Sequence, residues 1–159
     1  MGTAAMSPTA QVGSAGSGAR PRARVAPSAL ALLESARYGL ADAEGQVSAR
    51  ARYVSAHLAA IRAAAAIVAA RADPGTSTRR RKPPSVWELL PKVEPALSEW
   101  AAFFAAGAAK RAAAEAGLPR AASQREADDL LRDAETFLSL AENALGVPGQ
   151  PLLPLLTAG

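Results

Sequence analysis

His57, the only histidine of the 159-residue chain, stands in the stretch 50-RARYVSAHLAAIRAAAAIVAAR-71, with Arg52 five positions before it and Arg50 seven before it. An imidazole titrates near neutral pH and can take a proton from an oxygen or give one to it. A guanidinium beside it can grip a phosphoryl group with a bidentate fork and stabilise charge on its oxygens. Together the two suit cleavage of a phosphodiester without a metal. Their spacing works against it in a single chain. On a straight helix, five positions put Arg52 about 140° around the axis from His57 and about 7.5 Å along it, whereas seven bring Arg50 to within about 20°. Arg50 is the same-face companion, with Tyr53 on the same flank. A working set would need a second chain packed along that flank in a two-fold dimer. The other role for His57, and the favoured one, is structural: a hydrogen bond at the edge of the core.

A second candidate is the run Arg79-Arg80-Arg81-Lys82. Sequence-independent nucleic-acid binding rests on such charges, and the alternative is a solvated loop. Trp87 is the aromatic nearest to it, while Trp100, Phe103 and Phe104 fit a core. Glu126, Asp128, Asp129, Asp133 and Glu135 invite a magnesium reading. Arg125 and Arg132 at helical spacing make a salt-bridged solvent face the stronger one. No metal site and no cofactor are expected. The chain has no cysteine and carries no glycine-rich phosphate loop, nucleophile elbow or dinucleotide fingerprint.

The elements that must position these residues are helices. Half of the chain is hydrophobic, only 4% is aromatic, and alanine dominates the apolar share. Alanine favours helices that approach closely, and strand-type runs are missing. The expected fold is all-α, an antiparallel four-helix bundle with an extra short helical turn. The first helix is expected to start with Ser28 as its N-cap and to end near Gly45. The second should run from about Gln46 to Ala72 and bury the seam Val47-Ala51-Val54-Leu58-Ile61-Ala65-Val68, spaced alternately by four and three. Ser85 and Glu88 form a capping box before a short turn over 86–92. A third long helix is expected from Glu94 to Gly117, carrying Leu97, Trp100, Phe103 and Phe104. Ser123 and Glu126 open the last, with Ala127, Leu131, Ala134, Leu138, Ala141 and Leu145 inward and Gly146 as its stop.

Residues 1–26, rich in small residues, glycine and proline, read as a disordered N-terminal arm; 27–146 is the bundle; 147–159 is a Pro/Leu-rich tail whose Leu-Leu pairs could dock in a groove. The most apolar helical stretch, broken by Arg62, is expected not to span a membrane. The absence of cysteine fits the cytoplasm. Residues 1–84 carry 12 Lys/Arg against 4 Asp/Glu and residues 85–159 carry 6 against 10, so a basic half precedes an acidic one. That asymmetry suits an anionic partner or head-to-tail self-association.

Three segments, RYVSAHLAAIRAAAAIVAAR, LLPKVEPALSEWAAFFAAGAAKRAAAEAG and READDLLRDAETFLSL, resemble in this order an actinobacterial family of the HEPN (higher-eukaryote and prokaryote nucleotide-binding) superfamily. The W-E-L-L-P…E-W-A-x-F-F spacing and the D-D-L-L-R-D-A-E run carry the resemblance, which covers about residues 28–146. It implies a compact helical bundle that often dimerises. Many such proteins are metal-independent ribonucleases, some of them toxins of toxin–antitoxin pairs, with a signature R-x4-6-H completed across a dimer. By position that signature falls on Arg52 and His57, followed here by Tyr53 and lying on the second helix, where the family usually has a polar residue and a later helix. Other members lack the signature and bind partners. Two readings follow: a dimeric ribonuclease or RNA-binding protein using His57 with Arg52 or Arg50, or a catalytically silent module binding a protein partner or a nucleotide.

Overall fold

A computed structural model describes residues 24–73 and 82–149. They form α1 (Pro27–Gly45), α2 (Ala49–Arg71), α3 (Val86–Val93), a 3-10 turn (Pro95–Leu97), α4 (Ser98–Ala106), α5 (Ala108–Glu115) and α6 (Gln124–Leu145), with no strand among the described residues. The all-α expectation holds. Residues 1–23 of the arm, Arg79, Arg80 and Arg81, and the tail from residue 150 lie outside the described residues; Lys82 is described and exposed.

The helices start and stop where local chemistry dictates. Ser85 accepts a hydrogen bond from the Glu88 amide and the Glu88 carboxylate reaches back to the Ser85 amide, completing the expected capping box. At α6 only half of the expected box forms: Ser123 accepts from the Glu126 amide, while the Glu126 carboxylate turns to Lys110. Gly146 ends α6 at φ 66°, and the Val147 amide reaches back to the Glu142 carbonyl at 2.9 Å, the left-handed stop that glycine permits. The first boundary differs from expectation. α1 begins at Pro27 with Ala26 as its cap, not at Ser28, because proline lacks the orphan N–H of a first helical residue and presets its φ.

α2 is the central helix, packed against α1, α3, α5 and α6. Its buried face is Tyr53, Ala56, His57, Ala60, Ala63, Ala64 and Ile67, joined by Ala59 and Ala66 toward α1. Small side chains let the helices close up: a Cβ added to Gly39 of α1 would stand 3.2 Å from the Ala59 Cβ. The seam read from the sequence is therefore corrected. Val54, Leu58, Ile61, Ala65 and Val68 are only half-buried, and Val47 is 88% exposed. At 100° per residue their row lies roughly opposite Ala56-Ala60-Ala63-Ile67. A helix apolar on nearly every side gives periodicity little to choose between, and packing chose the alanines. α2 is also long and apolar enough to cross a membrane, with half of its most apolar window buried inside the bundle. Its place here is that of a core helix.

The third long helix is not continuous. The expected stretch from Glu94 to Gly117 is a 3-10 turn after Pro95, then α4 and α5, broken at Gly107. Tyr53 and His57 of α2 occupy the inner side of that break, since a Cβ on Gly107 would lie 2.9 Å from the Tyr53 hydroxyl and 3.5 Å from His57 Cδ2. The aromatic core forms beside it. Phe104, stacked on Trp87 at 5.1 Å, also meets Phe137 of α6 at 5.1 Å and Trp100 at 6.0 Å. Phe103 does not join the core as expected and is 46% exposed. On α6 the inward row is Ala127, Leu130, Ala134, Phe137, Leu138 and Ala141, with Leu131 only half-buried. α1 closes on α6 through Arg37, whose Nε donates to Glu142 Oε1 at 2.7 Å, that carboxylate lying within the core boundary.

Candidate functional site

His57 is fully buried, at 0% exposure. Its ring lies among Tyr53 (centroids 6.5 Å apart), Trp87 (6.2 Å) and Phe104 (6.1 Å). Nε2 sits 2.9 Å from the Phe104 carbonyl oxygen, a pure acceptor, so Nε2 carries the proton and donates it. Nδ1 is then an unprotonated acceptor, and it is buried without a partner. Burial pushes the imidazole below its ordinary value of 6.5; the bond to Phe104 opposes that shift, Arg111 adds to it, and Glu115 opposes it. A second proton would have to go to Nδ1, where no acceptor waits. The group is a neutral donor that fixes the end of α4 at the Gly107 break. Burial likewise raises the Tyr53 phenol above its ordinary value.

The arginines do not face it. Arg52 donates from Nε to the Ala43 carbonyl at 3.2 Å, from Nη2 to the Gln46 carbonyl at 2.6 Å, and from Nη1 to Asp128 of α6. It caps the end of α1 and ties that end to α6, satisfying carbonyls that the helix leaves orphaned. Arg50 donates to the Gly117 carbonyl beyond α5. Arg71 donates to the Ala144 carbonyl at 2.8 Å, near the end of α6, and pairs with Glu94. Three arginines of one helix thus hold the ends of three others. Single-sequence reading missed this role, because their partners lie 67 to 76 positions away, across the turn after α1, or, for Glu94, at the end of α3.

The chemistry looked for in the sequence is therefore dispersed. Arg50 and His57 share a flank of α2, as the spacing predicts. That flank is covered by α4 and α5 of the same chain, not left for a second copy. Trp87, considered as a stacking surface beside the basic run, is in the core at 7% exposure. On α6, Arg132 pairs with Asp129 and Arg52 with Asp128, in keeping with a salt-bridged face. Among the described residues no group of His, Cys, Asp or Glu could hold a metal ion.

Among known proteins, no curated sequence and no solved structure matches the chain. A family model does: that of HEPN_SAV_6107-like HEPN matches residues 43–142, from the end of α1 to the last turn of α6. The matched span covers more than half of the chain and takes in the buried arginine–histidine helix, the aromatic core and α6. The chain belongs to this HEPN family.

Proposed function

We propose that the protein is a HEPN module without a nuclease centre, acting in the cytoplasm as a homodimer that binds through its surfaces. The observation that carries this reading is the burial of His57. General acid–base work needs an imidazole within reach of the substrate oxygen, and here the ring has neither an exposed edge nor a free proton donor. Dimerisation adds groups at a surface and cannot by itself open a core residue. Arg52 and Arg50, the two candidate phosphate stabilisers, are engaged with backbone carbonyls.

Support for self-association comes from the outer row of α2. Ala51, Val54, Leu58, Ile61, Ala65 and Val68 are half-buried, between the flank that meets α1 and the flank that meets α5. A two-fold partner laying the same row against it would cover both.

The test combines two measurements on the full chain. Mixed RNA incubated without divalent metal across pH 5–8 should stay intact, and light scattering should give the mass of a dimer, reduced to a monomer in Leu58→Arg with helicity retained. RNA cleavage by the wild type that disappears in a folded His57→Ala variant would overturn the reading. Arg79, Arg80, Arg81 and Lys82 bear on RNA binding separately: salt-sensitive binding without cleavage would add RNA to the module's ligands.

A further inference from the structure

Ten carboxylates stand between residues 85 and 159, and eight are engaged within the chain. Glu94, Glu115, Glu126, Asp128, Asp129 and Glu142 pair with Arg71, Arg111, Lys110, Arg52, Arg132 and Arg37. Glu88 closes the cap of α3, and the Glu135 carboxyl, raised above its ordinary value first by burial, stands beside Glu44. Glu99 and Asp133 remain, with no hydrogen bond or ion pair among the described residues. These two line the same notch, of about 320 Å³, with Trp100 and Phe103 as its other walls.

The arrangement follows from the helices. Glu99, Trp100 and Phe103 occupy neighbouring positions on α4, and Asp133 comes from α6, brought alongside where Trp100 meets Phe137 at 5.9 Å. Trp100 and Phe103 stand edge to face, centroids 6.1 Å apart at 84°. Trp100 is half-buried and Phe103 46% exposed, so aromatic surface and carboxylates reach solvent together. Burial, and then the Asp129 charge, push the Asp133 carboxyl above its ordinary value; Arg132 opposes the shift but is paired with Asp129. The notch wants a cation, and none of the described residues pairs with Glu99 or Asp133 there.

We propose that this notch is a binding site for an arginine side chain presented by a partner polypeptide. A guanidinium is flat, so it can lie on an aromatic face while its edge N–H groups reach carboxylates on either side. An ammonium is a point charge, more strongly hydrated, and gains less from that combination. The notch, walled among the described residues by Glu99, Trp100, Phe103 and Asp133 and open on its outer side, suits one side chain delivered by a chain that stays outside. The site lies on α4 and α6, apart from the outer row of α2, and stands whether or not α2 pairs with a second copy.

The test is a titration of the full chain with a short neutral peptide carrying one arginine, read by the indole N–H resonances of Trp100 and Trp87. Trp87, at 7% exposure, serves as the internal reference. Saturable movement of the Trp100 signal is expected, with the citrulline peptide, uncharged and of the same shape, binding about tenfold more weakly or worse. The lysine peptide should also bind more weakly than the arginine one. Asp133→Asn with Glu99→Gln should abolish the response in a protein of unchanged stability. Any of four outcomes overturns the proposal: no response to the arginine peptide, equal binding of citrulline, equal or tighter binding of lysine, or an unchanged response in the double variant.

Discussion

The arginines of α2 and the carboxylates of the α4–α6 notch make an instructive pair. Arg50, Arg52 and Arg71 look in the sequence like spare positive charge on a basic half, and each is spent on a helix end inside its own fold. Asp133 looks like a member of a salt-bridged acidic face, and it and Glu99, from a different helix, are without an ion pair among the described residues. Charge type and spacing do not separate structural from available groups. What separates them is whether an orphaned carbonyl or a counter-charge lies within reach after folding.

If that distinction is right, substitutions should cost stability in one region and almost nothing in the other. The largest effect is expected at Arg52→Ala, which strips two carbonyls and Asp128 of their donor at a side chain only 20% exposed. A loss of about 2–4 kcal/mol in urea unfolding is expected, from several charge-assisted bonds. His57→Ala comes next, at about 2–3 kcal/mol, from a cavity among Tyr53, Trp87 and Phe104 and a Phe104 carbonyl without its donor. A variant as stable as the wild type at either position would break the comparison.

A third prediction concerns pH. Burial lowers the pKa of His57 in the folded state below its ordinary 6.5. The unfolded chain therefore takes the proton first as pH falls, so the stability present above about 6.5 is lost toward the lower folded value. The melting temperature of the wild type should drop between pH 7 and pH 5 more steeply than that of His57→Gln, whose amide can still donate to the Phe104 carbonyl. Equal slopes would mean that His57 is not held neutral. The smallest effect belongs to the notch: Asp133→Asn and Glu99→Gln should each shift stability by less than about 0.5 kcal/mol, with Asp133→Asn tending upward because it relieves repulsion from Asp129.

Much of the fold was legible. The capping box at Ser85 and Glu88 and the stop at Gly146 are local signals, set by side chains within a few positions of the backbone they satisfy. The seam of α2 was not, because alanines carry little hydrophobic contrast and the larger Val54, Leu58, Ile61 and Val68 drew the pattern to the outer side. The break at Gly107 was equally hidden. Nothing near residue 107 announces that Tyr53 and His57 will press against it. Of the candidate site, the residue types and the shared flank of Arg50 and His57 were readable, and the burial that changes their meaning was not.

By itself the sequence determined an alanine-rich all-α bundle of the HEPN family, the caps at Ser85 and Ser123 and the stop at Gly146, and that His57 and Arg50 point one way while Arg52 points another. Those are properties of propensity, capping and the 100° helical step. Only the tertiary structure decided that α4 and α5 close over His57, that the arginines of α2 cap other helices, and that Glu99 and Asp133 meet beside Trp100 and Phe103. Each of these depends on which distant backbone carbonyl or charge ends up within a few ångströms, and no periodicity along a single chain encodes that.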